Sequence, residues 1–226
     1  FFENIANENT TSSRQLIIHE VMGRNCGWLT AATAMEYRRR LDVKSYLPSI
    51  LIDRDRWDID AIYIPEEPID IEDEIERLKL LMDDKDSVNI FLSEGAGIND
   101  IVKELEARGE PLKRDAFGHV RLDEINPGVY FSKQFLKGVK ADKVLVQKSG
   151  YFARSAKPNK KDLGLIFQTA DHAIECALSG KSGVVGIDED YDNQLRCIEF
   201  QRIKGGKPFN PTVDWYQSIL TDIGQK

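Results

Sequence analysis

Cysteine, histidine and basic charge are all scarce in this sequence. Its 226 residues include three cysteines and three histidines. Cys26, Cys176 and Cys197 are odd in number and form no CxxC pair, which argues against a disulfide framework or a cysteine zinc site and favours reduced packing thiols. Acidic residues outnumber basic ones by 38 to 31, a formal net charge of -7, which argues against a general nucleic-acid or anionic-membrane surface. Any anionic ligand must therefore be held by a few local cations.

Long apolar runs and a secretory leader are missing as well. No stretch approaches the ~20 apolar residues of a membrane-spanning helix. The opening FFENIANENTTSSR lacks the basic region and long apolar core of a secretory signal. We therefore expect a cytoplasmic protein with neither nucleic-acid nor membrane partners. The chain does not begin with methionine and opens within a helical pattern, so we expect it to be a piece of a longer protein.

Strand-like and helix-like segments alternate along the chain. Apolar, β-rich runs such as RQLIIHEV, AIYIPEE, SVNIFLS and KVLVQ predict strands, and amphipathic runs such as DIEDEIERLKLLMDD and INDIVKELEARG predict helices between them. Near the end, KDLGLIFQTADHAIECALSG predicts a long helix, and SGVVGID with LRCIEFQRI a strand pair. Residues 110–127 are expected to form a loop or a short hairpin. The alternation predicts an α/β fold with a mainly parallel sheet.

The first predicted strand ends in a triplet that carries chemistry, Met22–Gly23–Arg24. Glycine lets the backbone approach a ligand, the helix that follows offers free N–H groups, and Arg24 adds a fixed positive charge. The carboxyl ends of parallel strands gather along one edge of a sheet, where α/β proteins bind ligands. A tight turn with a solvated arginine is the alternative, and the triplet by itself favours that alternative.

Two further strand ends are polar. Glu94, in SEGAG, could accept hydrogen bonds from sugar hydroxyls, although a simple helix N-terminal acid explains it as well. The third, QKSGYFARSAKPN, is predicted to be a loop that carries Lys148, Tyr151 and Arg154. A lysine, an arginine and a phenol hydroxyl can clamp a phosphate monoester. A charged surface loop is less favoured, because this loop follows an apolar strand and holds two aromatics. Together the three strand ends predict an anionic, hydroxyl-rich ligand such as a sugar phosphate.

The same stretches resemble the substrate domain of the 6-phosphofructokinases. TSSRQLIIHEVMGRNCGW is similar to a family signature in which a TSS-type stretch leads a strand into EVMGR, and the SEG strand end follows about seventy residues later. GYFARSAKPNKKD resembles the family's glycine–His/Tyr–x–x–Arg loop, and VQKSGYFARSA is most similar to the pyrophosphate-dependent branch. The resemblance implies a three-layer α/β fold, in which a mainly parallel sheet has helices on both faces. This chain would be a fragment of a larger two-domain chain. It further implies a fructose 6-phosphate-binding α/β domain, 1–180. The C-terminal segment, 181–226, would pack back against the family's N-terminal domain, which is expected upstream of this chain.

The resemblance also implies roles for single residues. The substrate-binding residues would lie at the three strand ends: Met22, Gly23, Arg24, Glu94, Lys148, Tyr151, Phe152, Ala153 and Arg154. Arg24 would also be catalytic, because it would lie near the transferred phosphoryl group and help to neutralise it. The two residues before it would contact the sugar, and Glu94 would accept from sugar hydroxyls. Tyr151 and Arg154 would hold the 6-phosphate, with Lys148 as a helper.

The implied reaction is phosphorylation of fructose 6-phosphate at O1 to fructose 1,6-bisphosphate in glycolysis, with pyrophosphate as the donor and ATP as the alternative donor. A non-catalytic, sugar-phosphate-binding regulatory homologue is a further alternative. A structural domain with coincidental motifs is disfavoured by three motifs in order. The family's GGD-type loop and TIDND-type segment, which supply the donor site, the magnesium-binding acid and the aspartate base, are absent and expected upstream of Phe1. We therefore expect Mg²⁺ as cofactor, no metal ligand within this chain, and a homo-oligomer.

Some residues depart from the family pattern. The arginine that ATP-type members extend towards a neighbouring subunit is replaced by Gln15, and Arg14 lies one residue early. A shift of one residue turns a strand side chain to the other face, so Arg14 is a weak candidate for that role. The segment 42–60 is longer than the corresponding segment of the compact bacterial form. The acidic run 188–190 is expected to be a solvated turn rather than a metal or base site.

Overall fold

The structure is a computed structural model that describes residues 1–50, 52–110, 112–114, 120–121, 125–203 and 207–226. The chain divides into two compact units. The first consists of Phe1–Ala153 with Pro208–Lys226, and the second of Arg154–Lys207. The chain therefore leaves the first unit before residue 180 and returns to it near the end. The predicted division at residue 180, which concerns substrate binding, stays a prediction.

A four-stranded parallel sheet forms the centre of the first unit. In chain order its strands, β1 to β4, are Gln15–Val21, Ala61–Tyr63, Ser87–Ser93 and Lys143–Lys148. They lie in the order β2-β3-β1-β4, and each neighbouring pair is parallel. The register sets Val21 beside Ser93 and Glu20 beside Lys148. The three strands that carry the predicted motifs therefore end at one edge of the sheet, as the sequence predicts.

Helices cover both faces of this sheet. The α-helices that lie wholly within the described residues are numbered α1 to α8 in chain order. They are Phe2–Ala6, Trp28–Asp42, Ile71–Lys85, Ile98–Ala107, Pro127–Gly138, Gly150–Ser155, Lys160–Leu178 and Asp214–Asp222. Successive residues of β1 point to opposite faces of the sheet. Ile17 packs in a cluster with α1, α2 and α8, whereas Leu16 and Ile18 pack in a cluster with α3, α4 and α5. The predicted three-layer α/β architecture is confirmed.

One buried histidine lies in the first of these clusters. His19 of β1 is 1% exposed and stacks on Phe2 at 5.2 Å, with Phe91 edge-on at 4.8 Å. Neither of its ring nitrogens has a hydrogen-bond partner among the described residues. Burial, the largest cause, lowers the pKa of His19 from 6.5 to about 3. The imidazole is therefore neutral in the folded protein at ordinary pH.

The second unit consists of α7 and a two-stranded antiparallel hairpin, β5 (Val184–Asp188) and β6 (Gln194–Ile198). The predicted strand pair is confirmed, but β6 is shorter than predicted, because Phe200–Ile203 form a 3₁₀ turn. That turn brings Arg202 back to Asp188, which accepts from it at 2.7 Å through both oxygens. Asp188 is 3% exposed, so the expectation of a solvated turn is wrong for this acid. A partner fourteen residues away could not be seen in the local pattern.

One loop prediction differs from the structure, and a second can be compared with it in part. Residues 150–155, predicted as a loop, form the short helix α6, in which the Ala153 N–H donates to the Ser149 carbonyl at 2.9 Å. Residues 110–127 fall partly outside the described residues. Within them, Arg114 and Val120 form an isolated antiparallel bridge, in keeping with a short hairpin.

Candidate active site at the carboxyl edge of the sheet

The turn after β1 is fastened to the end of β3. The Gly23 N–H donates to Oε1 of Glu94 at 3.2 Å, and the Gly23 carbonyl accepts from the hydroxyl of Ser93 at 2.6 Å. Gly23 has φ of 149°, and a Cβ there would lie 2.5 Å from the carbonyl oxygen of Cys26. Only glycine suits this position. The half-buried Met22 precedes it. The first two predicted motifs therefore form one hydrogen-bonded structure.

Arg24 is held from two sides. A Cβ on Gly95 would lie 1.8 Å from the carbonyl oxygen of Arg24, so the two backbones are in direct contact. The Nη2 of Arg24 donates to the carbonyl of Val120 at 2.6 Å. The side chain is half-buried rather than extended into solvent. This geometry argues against the alternative of a solvated turn arginine.

A cavity of about 490 Å³ opens beside Arg24, a volume within the range of small-molecule sites. Its polar lining includes Arg24, Arg114, Asn25 and Asn99, together with the acid Glu66. Two arginines in an otherwise acidic chain favour an anionic ligand, and amides add donors and acceptors for hydroxyls. Sequence reasoning missed Arg114. The only available signal was a basic pair in a stretch without periodicity.

The amino end of α2 is closed by an acid from the loop after β2. Both carboxylate oxygens of Glu66 accept from the Gly27 N–H, each at 3.0 Å, and Oε1 also accepts from the Phe209 N–H at 2.8 Å. The sequence predicts free N–H groups for a ligand here. For the N–H of Gly27 that prediction is wrong, because a protein carboxylate occupies the position that favours an anion. Glu66 lies 39 residues along the chain, so no local pattern connects it with this helix.

Lys148 lies at the same edge of the sheet but pairs with an acid. Strand register sets it beside Glu20, and its Nζ is 2.9 Å from Oε1 of Glu20. Glu20 is 6% exposed, and its Oε2 accepts from the Gly128 N–H at 3.0 Å. A phosphate that binds Lys148 would therefore share it with a buried carboxylate. The helper role of Lys148 stays a prediction.

The predicted phosphate clamp lies in the short helix α6. Tyr151 and Phe152 are 83% and 59% exposed, and the ring of Phe152 packs on that of Phe1 at 4.5 Å. Ala153 is the last residue of the first unit before the chain leaves it, and Arg154 is the first residue of the second. The contact of these residues with a 6-phosphate stays a prediction.

Arg14, the weak candidate, lies at the opposite edge of the sheet. It precedes β1, whose seven residues span about 23 Å. Its guanidinium donates to the carbonyls of Val139 and Lys140 at 3.1 and 2.7 Å and pairs with Asp83 at 2.9 Å. Within its own chain Arg14 therefore binds the carbonyls at the end of α5, which is a structural use.

The family can be decided by comparison with known proteins. A family model described as phosphofructokinase matches residues 3–177. The chain belongs to the phosphofructokinase family. It is 54% identical over 225 residues to the pyrophosphate–fructose 6-phosphate 1-phosphotransferase of Methylomonas methanica. The match covers 100% of this chain and 55% of that protein. It is 52% identical to the enzyme of the same name from Propionibacterium freudenreichii subsp. shermanii, with 100% and 56% covered. The chain thus spans about half the length of the curated relatives it matches.

Solved structures agree with this phosphofructokinase fold. The pyrophosphate-dependent phosphofructokinase of Nitrosospira multiformis superposes with a TM-score of 0.58 at 17% identity, over 98% of this chain and 50% of that one. The corresponding protein of Marinobacter aquaeolei gives a TM-score of 0.54 at 18% identity. Likeness at such identity concerns the fold, and it confirms the predicted phosphofructokinase-like architecture.

The phosphofructokinase resemblance implies Mg²⁺, and the described residues can be tested for a site. They contain no group of three or more His, Cys, Asp or Glu that could hold a metal ion. Within the part of the chain that the structure describes, the residues therefore do not form a magnesium site. In the same part of the chain, no helix has both the length and the apolar character needed to span a membrane.

Proposed function

We propose that this chain supplies the sugar-phosphate site of an enzyme that phosphorylates fructose 6-phosphate at O1, with pyrophosphate as the donor. The observation that carries the proposal is the junction of Gly23, Arg24 and Glu94 at the carboxyl edge of the sheet, beside a cavity with two arginines. Relatives with 52–54% identity over the whole chain bear the name of this activity, which supports the same substrates here.

In this reaction O1 of the sugar attacks the terminal phosphorus of pyrophosphate, the bridging P–O bond breaks, and phosphate leaves. A base outside this chain takes the proton from O1. Arg24 faces the transferred group and stabilises the charge that is redistributed during transfer, since phosphoryl transfer depends mainly on positioning and electrostatics. Met22 and Gly23 contact the sugar. Glu94 accepts hydrogen bonds from sugar hydroxyls. Its carboxylate has further lone pairs for this besides the one that accepts from the Gly23 N–H.

The 6-phosphate is bound by α6 in this proposal. Tyr151 and Arg154 hold it, Lys148 assists, and Phe152 and Ala153 line the same place. A cation and a phenol hydroxyl in one short helix suit a phosphate monoester. Because this phosphate is remote from O1, these contacts bind the ground state and the transition state almost equally.

The names of the relatives favour pyrophosphate over ATP as the donor, and ATP remains the alternative. A regulatory homologue that binds the sugar phosphate without turning it over is the other alternative. That the enzyme is cytoplasmic and homo-oligomeric, uses Mg²⁺ and acts in glycolysis stays a prediction.

The test is turnover of fructose 6-phosphate by the full-length protein, with release of phosphate measured for pyrophosphate and formation of ADP measured for ATP. We expect faster turnover with pyrophosphate than with ATP. The opposite preference would overturn the donor assignment. Binding of fructose 6-phosphate without turnover by either donor would support the regulatory alternative instead.

A further inference from the structure

The turn that carries Arg24 is held by a carboxylate at each end. At its start, the Gly23 N–H donates to Glu94, and at its end the Gly27 N–H donates to both oxygens of Glu66. Three residues, 24–26, lie between these two anchors. The position of Arg24 therefore depends on both Glu94 and Glu66, although only Glu94 belongs to one of the predicted strand-end motifs.

Glu66 itself is fixed by the core of the first unit. Its Oε1 accepts from the N–H of Phe209, whose ring is 7% exposed. That ring packs against Trp215 at 5.6 Å and Tyr216 at 5.3 Å, both in α8. Glu66 thus connects the Arg24 turn with Phe209, which packs against α8.

Gly27, at the end of the turn, has no space for a side chain. A Cβ on Gly27 would lie 2.4 Å from Cβ of Ile64 and 2.7 Å from Oε2 of Glu66. Glycine is therefore required at the end of the turn for the carboxylate to reach its N–H. Glu66 also lines the same cavity as Arg24, so it lies at the site and not at a distant helix end.

We propose that Glu66 is a positioning residue for phosphoryl transfer, which acts by fixing the Arg24 turn at the start of α2; this rests on the function proposed above. Glu66 touches no substrate in this role. Its carboxylate takes the place that a ligand anion would have at the amino end of α2. The transferred phosphoryl group is thereby left to the side chain of Arg24 in the cavity.

The test is a double-mutant cycle in the full-length enzyme, with the wild type, Glu66→Gln, Arg24→Ala and the double variant. The Gln amide nitrogen cannot accept a hydrogen bond, so Glu66→Gln loses part of the anchor without changing its size. We expect turnover to fall about 10- to 100-fold, because a displacement of about 1 Å can cost that much, while KM for fructose 6-phosphate changes less than about threefold. In the Arg24→Ala background, Glu66→Gln should have little further effect.

The matched control is Glu67→Gln. Glu67 is the next acid along the chain. It accepts from the Tyr216 hydroxyl at 3.2 Å and pairs with Lys226, and it does not hold the turn. Thermal melting checks that all variants fold. Hydrogen exchange of the peptide that contains Gly27, measured without substrate, should speed up in Glu66→Gln and not in Glu67→Gln. If Glu66→Gln does not fold, Glu66→Asp replaces it, since the shorter acid keeps the charge but loses reach.

Three results would overturn the proposal: wild-type turnover in Glu66→Gln, an equal loss with and without Arg24, or unchanged exchange at Gly27. A wild-type protein that turns over no fructose 6-phosphate with either donor would refute the proposed function and the catalytic part of this inference. The exchange comparison would still decide whether Glu66 holds the turn, so the two failures are distinguishable.

Discussion

Replacing Gly95 with alanine tests directly whether the end of β3 sets the position of Arg24. The new Cβ would start 1.8 Å from the Arg24 carbonyl oxygen, 2.6 Å from its carbonyl carbon and 2.9 Å from its Cα. All three are backbone atoms, so no side-chain rotation can relieve the contact. The turn must move by more than about 1 Å to reach ordinary contact distance. A displacement of about 1 Å at a reacting centre can lower turnover about 100-fold.

The assay is steady-state kinetics of the full-length Gly95→Ala protein with fructose 6-phosphate and pyrophosphate. We expect kcat to fall by about 100-fold. Gly164→Ala is the matched control, because a Cβ at that position in α7 meets nothing within 4 Å. Alanine in a helix interior should stabilise that variant by about 1 kcal/mol and leave turnover unchanged. Equal turnover in the two variants, with Gly95→Ala folded by thermal melting, would refute the idea that this contact positions Arg24.

Three further outcomes are expected in the full-length protein. Arg24→Ala should lower turnover about 10²- to 10³-fold with a small change in KM, and Arg24→Lys should restore only part of it, whereas near-wild-type turnover would contradict the assigned role. Arg154→Ala should raise KM for fructose 6-phosphate far more than it lowers kcat, which corresponds to a loss of about 2–4 kcal/mol of binding free energy. An unchanged KM would count against the phosphate clamp. His19 is neutral when folded, with a pKa of about 3 against 6.5 when exposed, so stability is fully present above pH 6.5 and falls as the pH drops towards 3. Between pH 6.5 and 5 the loss should be about 2 kcal/mol, read from urea midpoints, and His19→Leu should reduce it; the same loss in that variant would refute the assignment.

Most of the sheet could be predicted because local patterns determine it. The apolar runs that became β1, β3 and β4 are buried or half-buried strands. Adjacent residues such as Leu16 and Ile17 divide between two helical layers. The helix α3 begins at a capping acid, Asp70, whose carboxylate accepts from the N–H groups of Glu72 and Asp73. Such signals lie within a few residues of each other, and a sequence displays them directly.

Contacts between distant segments could not be predicted in the same way. The strand-end rule brought Gly23 and Glu94 together, but it could not assign Glu66 to Gly27 or Val120 to Arg24, since those partners come from loops without a periodic pattern. The pairing of Glu20 with Lys148 follows from the register of β1 and β4, which the sequence leaves open. The sequence could therefore predict which strand ends carry the chemistry, but not which neighbouring acids hold them.

The most direct measurement is a structure of the full-length protein with fructose 6-phosphate bound. We expect the sugar at the carboxyl edge of the sheet, with O1 beside Arg24, a hydroxyl within hydrogen-bond distance of Glu94, and the 6-phosphate on Tyr151 and Arg154. A sugar phosphate bound elsewhere, with Arg24 still donating to the Val120 carbonyl and no ligand near Glu94, would contradict the assignment of this edge as the substrate site.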